Sequence, residues 1–371
     1  MNKKLLVAAV GVIAVLGVVV ALMVNQGERR EDTDVIRIGA ILPLTGPSAY
    51  LGEDERNSLL LAQEKINTGE NGLRVSFVFA DSAGNAKDGI SAYQKMKLEN
   101  IKYLITSTTQ VSEAINQICK NDIYLQTANS AHPEITLLTE NLIRCFYGFE
   151  QESEVAMPFF IERGVKKVAF LFVDTAQTKF VIEEIFIPKL KEANIEVSAV
   201  ETYKMSDTSF RDSLVKVNAS SPEYIFTMDY GNMYPAMLRE AEQMGIRTKI
   251  MGGLIFATAP DLPNELKTGI VFVAPLYLLG KNQAYSEFIK EYESRYTTNI
   301  TPHGVFSYDT ALLLSEHLKN GNVTKNKIVN TSFEGISGNI QFDHSGRAKV
   351  EMTLATFDPD GSIKKYEVNH E

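Results

Sequence analysis

The chain has 371 residues, of which 44% are hydrophobic and 22% are charged, and this composition is typical of a globular protein. The length exceeds what one hydrophobic core usually serves, so we expect two domains. The formal net charge of -9, without a basic stripe in the sequence, argues against a nucleic-acid partner.

The N-terminal segment differs from the rest of the chain. Residues 5–24 form an uninterrupted apolar run after the sequence "MNKK". A helix of this length rises about 30 Å, the thickness of a bilayer core. Because the apolar part of a secretory signal is usually about 7–15 residues long, we favour a transmembrane anchor within residues 1–30. A signal helix that is cleaved off stays open as the alternative. In both cases the remaining chain is extracytoplasmic.

From residue 35 onward, β-rich runs alternate with segments of helical periodicity. The first group of predicted strands covers residues 35–44, 73–81, 101–106 and 122–128. The helices predicted between them cover residues 53–67, 87–98 and 111–118.

A second group of the same kind begins at residue 166. Its predicted strands cover residues 166–174, 195–203, 223–229, 249–256 and 269–275. Its predicted helices cover residues 178–193, 210–217, 235–245, 284–296 and 305–319, and antiparallel strands with turns at 343–346 and 358–361 end the chain. Strand–helix alternation implies parallel sheets with right-handed crossovers. The sequence therefore predicts an α/β fold with two Rossmann-like lobes.

Small polar side chains follow two neighbouring predicted strands. Residues 106–110, "TSTTQ", lie between a strand and an amphipathic helix, and "QTANSAH" follows the next strand. In parallel sheets, ligands bind beyond the carboxyl ends of the strands. Helix N-terminal N–H groups and clustered hydroxyls favour a carboxylate or a similar anion. We therefore expect these two segments to line one binding pocket.

The sequence contains none of the common catalytic or nucleotide-binding motifs. It has no phosphate loop, no G-x-G-x-x-G, no H-E-x-x-H and no G-x-S-x-G. Its five histidines are scattered along the chain. We expect a binding protein without a cofactor or metal, and not an enzyme.

The two cysteines, Cys119 and Cys145, match no zinc or redox spacing. An exported domain can carry one disulfide between them. Two buried free thiols are the alternative, since Cys119 ends the apolar face of a predicted helix.

Several segments resemble type I periplasmic binding proteins, specifically the leucine/isoleucine/valine-binding branch. They are "IRIGAILPLTGPSAYLG", "FADSAGNAKDGISAYQKM", "AHPEIT", "GVKKVAFLFVD", "YDTALLL" and "FEGISGNIQFDHSG". The resemblance covers residues 35–369. It implies two α/β lobes that close on a small ligand, joined by three chain crossings near residues 148–151, 274–278 and 334–341. Lobe I would then comprise residues 35–148 and 276–334, and lobe II residues 149–275 and 335–371.

The resemblance also implies ligand-binding positions. Tyr50, or its neighbour Leu51, would lie at the mouth of the cleft. The remaining positions that it implies are Thr109 and Gln110 in the first loop, Asn129, Ser130 and Ala131 in the second loop, and the aromatic Tyr230 on the second lobe.

One position departs from the family pattern. Amino-acid binders of this branch hold the ligand's ammonium group with an acidic residue, and the matching position here is Leu254. A buried ammonium group without a counter-charge costs several kcal/mol. Either Asp229 supplies the charge, or the ligand is an amide, a urea-like compound or a carboxylic acid without an ammonium group.

These features together predict a monomeric solute-binding protein that supplies permease subunits of an ATP-driven importer in the membrane. The alternative is a sensory ectodomain that reports its ligand to a signalling partner, because the same lobes serve both purposes.

Overall fold

The structure is a computed structural model that describes residues 35–367 except 71, 121, 138, 230–232, 260–261, 281 and 299. The predicted N-terminal anchor lies outside these residues. Among the residues that are described, no helix is both long enough and apolar enough to cross a membrane.

The first sheet is built from five parallel strands. They are β1 (Ile36–Leu42), β2 (Val75–Asp81), β3 (Tyr103–Ser107), β4 (Leu125–Asn129) and β5 (Leu142–Arg144). Three helices connect the first four strands: α1 (Ala49–Thr68), α2 (Ala86–Leu98) and α3 (Thr109–Cys119). The spatial order is β2-β1-β3-β4-β5, so the direction of winding reverses between β1 and β3.

Both faces of the first sheet are covered, and strand β1 shows why. Its residues Ile38 and Ala40 belong to the large core on one face, whereas Ile41 packs with Tyr93 and Met96 of α2 on the other. Consecutive side chains of a strand point to opposite faces. A strand that is apolar on both faces therefore fits a parallel sheet with helices on each side.

The second sheet repeats this architecture. Its parallel strands are β6 (Lys167–Val173), β7 (Glu196–Tyr203), β8 (Tyr224–Met228), β9 (Lys249–Gly252) and β10 (Val271–Pro275). Its helices are α4 (Phe149–Glu162), α5 (Ala176–Phe180), α6 (Ile187–Glu192), α7 (Arg211–Ala219), α8 (Tyr234–Gln243) and α9 (Asn264–Lys267). A π-helical turn at Val181–Phe186 joins α5 to α6.

The rest of the chain contributes elements to both lobes. Helices α10 (Gln283–Arg295), α11 (Pro302–Leu318) and α12 (Lys325–Ile328) precede a small antiparallel sheet of β11 (Ser332–Gly335), β12 (Gly338–Phe342) and β13 (Ala348–Lys349). Helix α11 packs along α1 of the first lobe. Strands β14 (Met352–Phe357) and β15 (Ile363–Lys365) then complete the second sheet in the order β15-β14-β10-β9-β8-β6-β7.

The chain passes between the lobes three times: after β5, after β10 and after β13. The crossing segments lie side by side, because Gln151 Nε2 donates to the carbonyl of Val350 at 3.0 Å and the Leu276 N–H donates to the carbonyl of Glu351 at 3.0 Å. The predicted α/β fold with two lobes and parallel sheets is confirmed.

Residues 334–341, where the family resemblance implied the third crossing, contact the first lobe. Asp309 of α11, in the first lobe, accepts from the N–H groups of Ile336 and Ser337 at 2.8 and 2.9 Å. Strands β12 and β13 pair with β11 and not with the second sheet. We therefore propose a third crossing at residues 350–351 and a first-lobe segment that extends to residue 349.

Three further elements differ from the sequence prediction. Strand β5 was not predicted, because it has three residues and ends in a charged one. Helix α4 was not predicted either. The strand predicted over residues 249–256 ends at Gly252, and a 3₁₀ helix follows at Leu254–Thr258.

Both cysteines are free and buried. Cys119 belongs to the core that α2 and α3 form on one face of the first sheet, and Cys145 belongs to the core on the opposite face. The possible disulfide is therefore not formed, because the sheet separates the two thiols. The alternative of two buried thiols describes this structure.

Candidate ligand-binding cleft

The carboxyl edges of the two sheets face each other. The winding direction reverses between β1 and β3 in the first sheet and between β6 and β8 in the second, and such reversals leave a crevice at the carboxyl end. Thr109 begins α3 directly after β3, and Gln177 lies in α5, after β6. The Thr109 hydroxyl donates to Gln177 Oε1 at 2.9 Å. This hydrogen bond joins the two lobes across the cleft.

The polar stretch at residues 106–110 divides into interior and cleft-facing parts. Thr106 is fully buried, where its hydroxyl accepts from Gln126 Nε2 at 3.0 Å and lies 2.9 Å from the Ser112 hydroxyl. Thr106 therefore anchors the loop within the first lobe. Thr109 is the residue of this stretch that reaches the second lobe, and Gln110 is exposed.

The backbone between these parts is strained at Thr108. Its φ of 66° and ψ of 147° lie in a region that residues other than glycine seldom occupy. Such conformations cost about 1–3 kcal/mol and cluster at binding sites, where the surrounding structure holds them. The strain turns the chain from β3 into α3 and so brings Thr109 to the edge of the cleft.

The second predicted loop, residues 129–131, also contributes some residues to the cleft and others to the interior of the first lobe. The Ser130 hydroxyl lies 2.7 Å from the Thr109 hydroxyl, so Ser130 belongs to the same polar cluster. Ala131 is buried, and its carbonyl accepts from the N–H of Phe149, the first residue of α4. The loop thus contacts both α3 and the start of the second lobe.

The side chain of Asn129 points away from the cleft, into the interior of the first lobe. Its Nδ2 donates to Glu55 Oε1 at 2.5 Å, to the carbonyl of His303 at 3.0 Å and to the Ser307 hydroxyl at 3.1 Å. Burial raises the pKa of the Glu55 carboxyl well above its ordinary value. Asn129 therefore satisfies a buried carboxyl group beneath the cleft. A ligand at this point would meet the backbone of the loop rather than the Asn129 amide.

On the second lobe, Asp229 directly follows β8 and is 2% exposed. The buried Tyr203 and Tyr234 lie beside it. Burial raises the pKa of both tyrosine hydroxyls well above their ordinary value, and the negative charge of Asp229 adds to the effect. Asp229 thus lies at the second winding reversal, and its role in ligand binding stays a prediction. Tyr230 lies outside the described residues.

Leu254 follows β9 and is fully buried, so its side chain is a core group. Its N–H donates to Glu152 Oε1 of α4 at 3.3 Å. Glu152 is 1% exposed, and burial raises its pKa from 4.5 to about 8. The acidic side chain of Glu152 therefore contacts the backbone at Leu254, the position where this sequence lacks the acidic residue of the family.

Tyr50 lies in the first turn of α1, the helix that follows β1, and is 39% exposed. This position is at the same edge of the first sheet as Thr109. Its role at the mouth of the cleft stays a prediction.

The structure brings Thr109 and Ser130 together and adds Gln177 and Glu152, which the sequence analysis missed. Gln177 carried a usable signal, because it follows a predicted strand end, "LFVD", as the residues of the first-lobe loops do. Glu152 carried none, since α4 was not predicted.

Residues 35–362 match the family described as periplasmic binding protein. The chain belongs to this family. Members of the family are binding proteins rather than enzymes, and they act outside the cytoplasm. The family confirms the predicted resemblance and the solute-binding role that was expected from it.

Relatives of this periplasmic binding protein agree with that assignment. It is 25% identical over 338 residues to the leucine-, isoleucine-, valine-, threonine-, and alanine-binding protein of Pseudomonas aeruginosa, covering 85% of this chain and 88% of that one. It is 24% identical over 274 residues to the Leu/Ile/Val-binding protein of Escherichia coli, covering 71% of this chain and 72% of that one.

Solved structures share its fold. A solute binding protein of an ABC transporter from Rhodopseudomonas palustris, in complex with p-hydroxybenzoic acid, has a TM-score of 0.80 at 18% identity and covers 90% of this chain and 96% of its own. The branched-chain amino acid transporter substrate binding protein of Streptococcus pneumoniae, in complex with isoleucine, has a TM-score of 0.74 at 19% identity and covers 90% and 99%. The fold is therefore shared by proteins solved with an amino acid and with an aromatic acid.

Proposed function

We propose that this protein is the extracytoplasmic solute-binding subunit of an ATP-driven importer. It captures a small polar solute between its lobes and delivers the solute to permease subunits in the membrane. The hydrogen bond between Thr109 and Gln177 carries the proposal, because it joins the two carboxyl edges that would part when the lobes open. A solute that contacts both edges selects the closed form, which a permease can recognise.

The ligand that fits the first-lobe side of the cleft carries a carboxylate or a similar anionic group. Thr109 and Ser130 provide hydroxyls beside the N-terminus of α3, where backbone N–H groups point outward. Such an arrangement binds an anion without a full positive charge. Amino acids and simple carboxylic acids both meet this requirement, in agreement with the ligands named for the relatives above.

The protein performs no chemistry of its own in this proposal. Binding and lobe closure are its mechanism, and it works as a monomer. The apolar N-terminal segment, residues 5–24, keeps it at the outer face of the membrane or directs its export.

The proposal is tested by thermal unfolding of the full-length protein in mild detergent with amino acids, amides, ureas and carboxylic acids. A solute at 100 times its dissociation constant adds about 2.7 kcal/mol to the free energy of unfolding. We expect Thr109→Val to weaken binding of the active solute about tenfold, a loss of about 1.4 kcal/mol. Thr68→Val is the matched control, because the Thr68 hydroxyl is exposed at the end of α1 and, among the described residues, donates to the nearby helix carbonyls of Glu64 and Lys65.

Two outcomes count against the proposal. If no solute raises the unfolding temperature, the chain does not capture these small solutes, and the sensory alternative gains support. If a solute binds but Thr109→Val behaves like Thr68→Val, binding occurs elsewhere on the molecule.

A further inference from the structure

Two residues of helix α5, on the second lobe, contact the first lobe. Gln177 Oε1 accepts from the Thr109 hydroxyl at 2.9 Å, and the ring centroid of Phe180 lies 5.2 Å from that of His132. Residues three positions apart in a helix lie on the same face, so one face of α5 makes both contacts. The helix therefore meets both polar loops of the first lobe, the one after β3 and the one after β4.

Helix α5 is fixed to its own lobe. The hydroxyl of its N-cap residue, Thr175, accepts from the Thr178 N–H at 3.2 Å. The buried Thr178 hydroxyl donates to the carbonyl of Val173, the last residue of β6, at 2.5 Å. The π-helical turn that follows buries Val181 and Phe186 in the core. The contacts with the first lobe are therefore made by an element that is held against the second sheet.

His132 is fixed on the opposite side of the cleft. Its N–H donates to the Ser130 hydroxyl at 3.3 Å, and its carbonyl accepts from the buried Arg144 at 3.1 Å. Its Nδ1 accepts from the Glu134 N–H at 3.2 Å, and this bond sets the orientation of the imidazole ring. Aromatic rings at such a distance attract each other beyond the effect of the area that they bury. The ring of Phe180 therefore meets a partner that is already in place.

The Thr109 hydroxyl is fully used by its contact with Gln177. An amide oxygen only accepts, so the single proton of the Thr109 hydroxyl points at Gln177 Oε1. The hydroxyls of Ser130 and Thr109 lie 2.7 Å apart, and Ser130 is then the donor of this pair. A solute oxygen that is to receive the Thr109 proton must therefore take the place of Gln177 Oε1.

We propose that Gln177 is an internal competitor of the solute, which holds the lobes closed through Thr109 until a solute oxygen displaces it. This inference rests on the proposed function and adds to it a residue that works against binding. A carboxylate oxygen accepts more strongly than an amide oxygen, so the exchange at Thr109 favours an anionic solute. The net strength of one hydrogen bond is equivalent to about a fivefold change in an equilibrium constant. Competition lowers the affinity for every solute that displaces Gln177 by this same factor.

Phe180 has a different part in closure. Its contact with His132 uses no hydroxyl group, so the contact remains when a solute takes the place of Gln177. Phe180 therefore stabilises the closed lobes with and without solute, whereas Gln177 stabilises them only without it. The two residues should respond differently to substitution, although they lie on one face of one helix.

The first test measures the distance between the lobes without solute, by double electron–electron resonance on the full-length protein in mild detergent. Lys87→Cys and Ser206→Cys place one spin label on each lobe, at exposed residues that follow β2 and β7. These strands are the sheet edges farthest from the chain crossings, so opening changes the distance between the labels most strongly there. The native thiols are buried and stay unlabelled. We expect Gln177→Met, and likewise Phe180→Leu, to shift the population towards longer distances.

The second test is isothermal titration calorimetry with isoleucine and p-hydroxybenzoate as the probes. We expect Gln177→Met to bind each probe that the parent protein binds about fivefold more tightly, by the same factor for both. Phe180→Leu should not tighten binding, because it removes a contact that the solute-bound form keeps. Gln243→Met is the matched control, since Gln243 is exposed on the second lobe and accepts from Arg211 at 3.1 Å. It should change neither the distance nor the affinity.

The outcomes separate this inference from the proposed function. Weaker or unchanged binding of a probe by Gln177→Met overturns the role of Gln177 as a competitor and leaves the solute-binding function standing. Distances that stay the same in both Gln177→Met and Phe180→Leu overturn the closure of the lobes by these contacts. Binding of neither probe counts against the proposed function, and longer distances in Gln177→Met would in that case still support its hold on the closed lobes.

Discussion

The free energy of unfolding of the ligand-free protein should depend on pH through Glu152. Burial raises the pKa of this carboxyl group from 4.5 to about 8. Between these two pH values, Glu152 is protonated in the folded protein and ionised in the unfolded chain. Stability from this proton is complete below pH 4.5 and is lost as the pH rises towards 8. Between these two pKa values, the free energy of unfolding falls by about 1.4 kcal/mol for each unit of pH.

Glu152→Gln isolates this contribution, because glutamine is close in shape and does not ionise. At low pH the two proteins can differ in free energy of unfolding by a constant amount, because glutamine and glutamate pack differently. Relative to that constant, the variant should be more stable than the parent protein by about 1 kcal/mol at pH 5 and by about 3 kcal/mol at pH 7. Burial also raises the pKa values of three other carboxyl groups, those of Asp54, Glu55 and Asp309. These residues are present in both proteins, so their contributions to the pH dependence cancel in the difference.

The assay is urea unfolding of both proteins, without ligand, at about pH 5, 6, 7 and 8. Equal dependence of the unfolding free energy on urea concentration shows that the two proteins expose similar surface on unfolding. A difference between the proteins that stays flat over this pH range would show that Glu152 is ionised in the folded state, and the linkage would then be absent.

Three further predictions concern other residues. Asp54 accepts from the N–H and hydroxyl of Thr301, the N-cap residue of α11, at 2.7 and 2.5 Å, and from the N–H of Gly304 in the first turn at 3.1 Å. Asp54→Ala should therefore lower the free energy of unfolding by about 3 kcal/mol, measured in urea. Asp229→Asn should weaken amino-acid binding at least tenfold in calorimetry, as expected if Asp229 holds the ammonium group of the ligand. Cys119 and Cys145 should react with a thiol reagent only when the protein unfolds, as followed by absorbance.

Each of these has a contrary result. An Asp54→Ala protein as stable as the parent would show that water replaces the lost acceptor. Unchanged affinity in Asp229→Asn would show that Asp229 does not hold the ammonium group. Rapid labelling of the native thiols would contradict their burial.

Much of the fold follows from local sequence patterns. The apolar runs at β1, β3, β6 and β8 predict strands, and their alternation with helices predicts two parallel sheets. Strand β5 escaped prediction because Arg144 ends it. This charge is compatible with the core because Glu150 pairs with it at 2.6 Å and the carbonyls of His132 and Ala348 also accept from it. A periodicity pattern does not record such partners.

The candidate site was determined in part by sequence and in part by tertiary structure. The hydroxyl-rich turn at Thr109 could be placed at a strand end, because strand ends and helix starts are local features. The direction of the Asn129 side chain, the approach of Gln177 and the contact between Glu152 and Leu254 depend on residues 68 to 178 positions apart in the chain. Only the packing of the two sheets decides which groups are buried and left without partners, and therefore which of them a ligand can satisfy.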